Sequence, residues 1–247
     1  MQPWLISGDI RVPCKNSEPR TEDCSYPIAM NECLQPHREW RFSADQLVSD
    51  AQACHLCPRM SLSRRVLGNL NGPWDARIMF VAEAPGRLGA EKTGIPLFGD
   101  RTGDRFEELL RAMQWYRCDV FITNAILCNP RDVNGNNGSP TTTEISNCSS
   151  LLRRTIDTVN PVIVVSLGRV SLKALALVCE HNLELRAAVG RLVPWYGRRL
   201  GVLYHPGPRT AVHRPWRKQV HDAQAIAETA APLLSISGSS QHRNLYD

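Results

Sequence analysis

Four short apolar runs stand out along the chain, at residues 77–82, 119–126, 161–167 and 200–204, each bounded by polar or turn-forming residues. They are continuous rather than alternating, which suits strands buried on both faces. Between them, apolar positions recur every three or four residues over 104–114, 142–159, 170–179 and 215–234, and these stretches predict helices. A shorter helix is expected over 44–54. The last helix opens beside Pro215, whose fixed φ suits a helix start, and continues through AQAIAETAAPLL, rich in helix formers. Strands alternating with helices predict the α/β class, a three-layer α/β/α domain round a central four-stranded parallel sheet. Residues 1–42 carry Pro3, Pro13, Pro19, Pro27 and Pro36 without periodicity and read as an irregular extension. The folded domain is expected over 43–234, with a polar tail at 235–247. No internal repeat is visible.

Composition narrows the picture in two ways. With 247 residues and 43% hydrophobic content, the chain can bury a real core, which excludes general disorder. The N-terminus MQPWLISGDIRVPCK has no basic start leading into an apolar stretch, and no apolar run approaches the roughly 18 residues of a membrane span. The expectation is a soluble protein of the cell interior, cytoplasmic and without a membrane partner. The net charge of +5 is modest but unevenly spread. From Arg186 to Lys218, 33 residues hold eight Arg or Lys and no Asp or Glu, with Trp195, Tyr196, Tyr204 and Trp216 interleaved. A basic run with aromatics suits a polyanion whose bases can stack. Arg209 and Arg214 lie within it as candidate DNA contacts.

The candidate chemistry gathers where strands end. Residues 78–103, IMFVAEAPGRLGAEKTGIPLFGDRTG, run from the first strand through a Pro-Gly turn and a polar loop into a helix start. Loops at the carboxyl ends of strands are where open α/β sheets build sites. The stretch from Gly86 to Thr93 has the outline of a phosphate loop, but Glu91 stands where glycine must precede the lysine, and Gly94 and Pro96 break the helix that should follow. That reading is rejected. Of nine cysteines, Cys54 and Cys57 form a C-x-x-C, Cys128 follows the second strand and Cys148 lies in the next helix. Four such thiolates suit either tetrahedral zinc or an iron–sulfur cubane, which spacing does not separate.

Three strand-end motifs, AEAPGRLGAEKTGIPLFGD, ITNAILC and YHPGPR, come in this order with the four cysteines among them. Together they resemble the uracil-DNA glycosylase superfamily, and in particular its iron–sulfur members of families 4 and 5, the first motif lying nearer family 5. The resemblance implies a 4Fe–4S cluster on Cys54, Cys57, Cys128 and Cys148, and leaves Cys14, Cys24, Cys33, Cys118 and Cys179 without counterparts. It implies that 43–234 is a glycosylase domain acting on uracil-containing DNA and releasing free uracil. Asn124 would read the base edge, since an amide offers both a donor and an acceptor. His205 would donate to the uracil O2 as charge builds there. Glu91 is the favoured carboxylate to position water, standing where family 5 has Asn and near the acidic pair of family 4, with Glu83 its rival. Ala84, Pro85 and Gly86 would give backbone contacts. The aromatic that stacks on uracil in the family aligns with Leu97, and Phe98 follows one place later. Pro208 and Arg209 would wedge into the gap left by the flipped base. A monomer is expected.

Two other readings fit parts of this pattern. One keeps the fold but acts on other deaminated bases, or binds without turnover, because positions 91, 97 and 207 depart from the family. The other is a non-enzymatic nucleic-acid-binding module on a four-cysteine metal site.

Overall fold

The computed structural model describes residues 38–235; the proline-rich segment, Cys14, Cys24, Cys33 and the polar tail from 236 lie outside the described residues. In chain order the elements are α1 (Arg38–Gln52), β1 (Ile78–Ala82), α2 (Ala90–Thr93), α3 (Arg101–Ala112), β2 (Val120–Asn124), α4 (Thr142–Val159), β3 (Ile163–Leu167), α5 (Arg169–Val178), α6 (Leu185–Ala188), β4 (Leu192–Trp195), β5 (Arg198–Leu203) and α7 (Trp216–Ser235). The sheet has the order β2-β1-β3-β5-β4. β1, β2, β3 and β5 are parallel, as expected, and every residue of β1, β2 and β3 is buried.

The expected four strands become five. β4 pairs antiparallel with β5 through a two-residue turn at Tyr196 and Gly197, whose φ angles are 47° and 68°. Paired positive φ values match the right-handed twist of a hairpin. Pro194 hides this strand from a pattern reading. It is tolerated because β4 lies at the edge of the sheet, where a residue without an N–H can still pair. The hairpin also corrects the reading of the basic run. Trp195 is buried in the core and donates from Nε1 to the Cys179 carbonyl at 2.9 Å, while the Arg198 guanidinium lies 4.9 Å from the Tyr196 ring centre. Both rings are tied into the sheet edge, Trp195 buried and Tyr196 half-buried.

Two apolar layers sandwich the sheet. Met79, Val81, Phe121, Val164 and Val202 pack on one side with α1, α4 and α5. Ile78, Phe80, Ile122, Val165 and Leu203 pack on the other with α3 and α7. Adjacent strand residues thus serve opposite layers, which explains the unbroken apolar runs. α4 opens with a capping box, Thr141 accepting from the Glu144 N–H at 3.2 Å and Glu144 accepting from the Thr141 N–H at 2.8 Å. Along its inner face Ile145, Cys148, Leu152 and Ile156 recur at helical spacing.

Because β2 and β3 lie on opposite sides of β1, the chain reverses its direction of travel across the sheet there. A reversal of this kind opens a crevice outside the strand carboxyl ends, where ligands bind in open α/β sheets.

Phe80 is fully buried and meets Phe106 edge-on, with ring centres 5.1 Å apart. Phe80→Ala is expected to cost about 3–5 kcal/mol of stability, read from the urea unfolding midpoint.

Candidate active site and cysteine centre

The loop after β1 folds back on itself and is held by the segment after β2. The N–H groups of Gly89 and Glu91 both donate to the Gly86 carbonyl, starting α2. Ala125 N–H donates to the Ala82 carbonyl at 2.8 Å and Ile126 N–H to that of Glu83 at 3.2 Å. Asn129, itself 1% exposed, donates through Nδ2 to the Pro85 carbonyl at 2.5 Å and to Asn137 Oδ1 at 2.9 Å, and the same Oδ1 accepts from the Arg87 N–H. Ala84, Pro85 and Gly86 are therefore fixed by the loop that follows β2.

Asn124 ends β2 in register with Ala82 of β1. It is 2% exposed, and its Nδ2 has no hydrogen-bond partner within the chain. An unsatisfied buried amide donor costs on the order of 1–3 kcal/mol and so marks a group kept for something else.

His205 follows β5 by two residues. The Gly207 N–H donates to its Nδ1 at 3.0 Å, so a neutral ring carries its proton on Nε2. Burial holds its pKa below the ordinary imidazole range, against a smaller opposing pull from the Asp100 carboxylate. Glycines frame the ring: a Cβ at Gly207 would lie 2.9 Å from His205 Nδ1, and one at Gly168 would lie 3.2 Å from the His205 Cβ. The Gly207 carbonyl accepts from Arg105, bracing the turn from the α3 side.

Asp100 was missed by pattern reading, because it reads as an ordinary helix cap. One carboxylate oxygen does cap α3, accepting from the Thr102 and Gly103 N–H groups at 3.0 and 2.9 Å. The other faces the first loop, 3.0 Å from where a Gly86 Cβ would sit and 2.7 Å from that of Gly89. The sequence carries no signal for this second role, which only the placement of the other oxygen against Gly86 and Gly89 reveals.

The remaining expected residues fall in different places. Glu91 is half-buried on α2 with one oxygen 3.5 Å from an Arg131 nitrogen and the other unpartnered. Glu83 is half-buried, and desolvation alone holds its carboxyl above the usual carboxylate range. Leu97 packs into the core with a φ of 49°, a strained value for a branched apolar residue, and Arg117 grips its carbonyl at 2.8 Å. Phe98 is half-buried with the Arg117 guanidinium 5.9 Å from its ring centre. Pro208 and Arg209 are exposed at the start of the 3-10 turn Pro208–Val212. Arg214 is held by both oxygens of Asp222, at 2.8 and 2.5 Å.

Cys54, Cys57, Cys128 and Cys148 line one small cavity with Met60, Ile126 and Asn147. All four are free thiols. Burial, reinforced by the neighbouring thiols, pushes Cys128 up to about 12 and Cys148 up to about 11. Among the described residues no three His, Cys, Asp or Glu side chains form a group able to hold a single metal ion, so a shared cavity is what relates the four. Arg59 lies just beyond Cys57 and grips Glu144 with both arms, at 2.9 and 2.6 Å, joining the C-x-x-C segment to α4. Cys118 and Cys179 stand apart from this cavity.

An α/β sheet that reverses direction at β1, with a Pro-Gly loop, a buried amide and a histidine at or just beyond the carboxyl ends of β1, β2 and β5, has the layout in which open α/β sheets place a ligand site. A sequence model described as the Uracil DNA glycosylase superfamily matches residues 70–228, and the chain belongs to that family. It is similar to the type-4 uracil-DNA glycosylase of Thermotoga maritima, 33% identical over 65% of this chain and 80% of that protein. It is also similar to the type-4 uracil-DNA glycosylase of Archaeoglobus fulgidus, 28% identical over 73% of this chain and 89% of the relative. The type-5 uracil-DNA glycosylase of Pyrobaculum aerophilum is 29% identical, over 66% and 82%.

The raised pKa of Glu83 carries a sign for stability. Below its unfolded pKa the carboxyl is neutral in both states; as pH rises through the unfolded and then the folded value, the buried anion destabilises the fold. Glu83→Gln is expected to be more stable than the parent at pH 7, with the advantage vanishing below pH ~4 in urea unfolding.

Proposed function

We propose that this chain removes uracil from DNA by hydrolysing its N-glycosidic bond, in base excision repair. The single observation that carries this is Asn124, a buried amide with an unpartnered donor at the mouth of the β1–β2 register. Its Nδ2 would donate to the uracil O4 and its oxygen accept from N3–H, which requires the base to be flipped out of the stack. His205, neutral because burial disfavours the imidazolium, would donate from Nε2 to the uracil O2 as the leaving base gathers negative charge. Ala84, Pro85 and Gly86 would contact the base or the attacking water through the backbone.

The sugar gains positive character as the bond breaks, so a nearby carboxylate stabilises it and orients water. Of the three carboxylates, Asp100 is the one whose free oxygen faces the Gly86 loop and whose charge reaches His205. Glu91 is drawn toward Arg131, and Glu83 favours its neutral form. We therefore rank Asp100 first for this task, ahead of Glu91 and Glu83. Pro208 and Arg209 are exposed where they would enter the gap left by the base. A second reading, excision of another deaminated base by the same chemistry, is favoured by Leu97, which packs in the core where the family resemblance puts a stacking aromatic.

Cys54, Cys57, Cys128 and Cys148 would hold a 4Fe–4S cluster. The fit rests on four soft donors from three separate segments lining one cavity, with their thiols close enough to raise one another's pKa. When bound, the cluster would supply a cross-link among those segments. The protein would then bind DNA as a monomer without membrane attachment; among the described residues no helix is long and apolar enough to cross a membrane.

A labelled oligonucleotide with one deoxyuridine, treated with the protein and then alkali, is expected to break only at that position, while a thymine control stays intact. Intact uracil strands after treatment with folded protein would sink the proposal. Asn124→Ala should abolish cutting. Asp100→Asn keeps a helix-capping side chain and should slow the single-turnover rate by about 10²–10⁴-fold. Cys128→Ala should lose the iron and the brown colour of the purified protein; a colourless parent containing zinc would contradict the cluster assignment and favour the non-enzymatic module.

A further inference from the structure

A groove of about 520 Å³ opens beside the candidate site, between α5 and the segment leading into α6. Its volume lies within the roughly 300–1,000 Å³ of small-ligand pockets. Leu172, Leu183 and Leu185 line it, and Arg169, Lys173 and Arg186 are exposed at it, with Glu184 the sole acidic residue among the lining side chains. Arg169 and Lys173 stand one turn apart on α5, and among the described residues none of the three cations forms an ion pair. His181 also lines the groove; its Nδ1 accepts from the Leu183 N–H at 3.3 Å, which leaves its buried Nε2 without a partner.

The groove borders the candidate site through chain neighbours of His205. Arg169 directly follows Gly168, which abuts His205; Tyr204 directly precedes His205; and His213 closes the turn that begins with Pro208 and Arg209. A strand whose uracil sits against Asn124 and His205 would have its next nucleotide at this opening. An apolar floor suits the face of an unstacked base, and unpaired cations suit its phosphates. Resting on the glycosylase reading, we infer that this groove seats the nucleotide adjacent to the flipped one, with its base on the leucines and its phosphates on Arg169, Lys173 and Arg186. A groove built this way favours substrates in which that neighbour is already unstacked, such as single-stranded DNA.

The test uses the full chain and a single-stranded oligonucleotide bearing an uncleavable abasic analogue, with 2-aminopurine at the neighbouring position. Affinity is measured by fluorescence anisotropy across a salt series. The double variant Lys173→Ala/Arg186→Ala should bind several-fold more weakly, and its slope of log affinity against log salt should shrink by about 0.7 per lost phosphate contact. The 2-aminopurine emission should change when the parent binds. Parental affinity and slope in the double variant, or emission unaltered by the parent, overturns the groove assignment. If the parent also cuts uracil DNA, only the groove falls; if it neither cuts uracil DNA nor binds the abasic strand, the glycosylase reading falls and takes the groove with it.

Discussion

The candidate site depends on the parallel register of β1 against β2. Ala82 stands beside Asn124 because Ile78 stands beside Val120, and five buried pairs between them leave no room for a slip. A shift by one residue would turn every side chain of β2 to the opposite layer. Phe121 would leave the layer of α4 and α5, and Ile122 that of α3 and α7. The core therefore sets where the amide emerges, and the amide emerges where the Ala82 and Glu83 carbonyls receive the chain that follows it. Packing energy spent far from the crevice fixes an atom inside it.

The cysteine cavity is tied to the same point by a short route. Cys128 lines the cavity, and its neighbour Asn129 hydrogen-bonds to Pro85 in the loop beneath the candidate base. From the far side, Arg59 follows Cys57 and grips Glu144, and it also donates to the Arg131 and Ser139 carbonyls of the loop that carries Asn137. Asn137 in turn holds the Arg87 N–H. A cross-link among Cys54, Cys57, Cys128 and Cys148 would stiffen both ends of this chain of contacts.

The class of fold was legible because β1, β2 and β3 are unbroken apolar runs and the helices between them keep their period; α4 occupies the expected residues 142–159. β4 was illegible because its Pro194 and its place in a basic run both argue for loop, and only the Tyr196-Gly197 turn gives it away. At the site, Asn124 and the four cysteines drew notice in the sequence because an amide ends an apolar run and a C-x-x-C comes with two single cysteines; the structure buries the amide and puts the four thiols round one cavity. Asp100 could not, because a capping aspartate and an aspartate that faces a ligand look identical in sequence; what separates them is the second oxygen, aimed at Gly86 and Gly89. Trp195 misled for the opposite reason, since an aromatic among arginines looks like a stacking platform until the sheet edge buries it.

Buried polar atoms without partners mark where the fold has given up stability. Asn124 Nδ2, Ser166 Oγ and one oxygen of Glu91 are all unpartnered, and Glu83 is desolvated with nothing to offset it. Among the described residues Thr123 Oγ1 joins Asn124 and Ser166 near the carboxyl ends of β2 and β3, and Glu83 stands just beyond β1, while His181, Arg198 and Gln219 carry unpartnered atoms elsewhere in the fold. A core selected for stability alone would satisfy or remove such groups. A site that must tell uracil from cytosine has to keep its donors and acceptors free until the base arrives, because a group already bonded within the chain discriminates nothing; thymine shows the same edge and differs only by a methyl group, which shape alone can refuse. The unsatisfied edge of this sheet is therefore the physical form that selectivity takes before the ligand is bound.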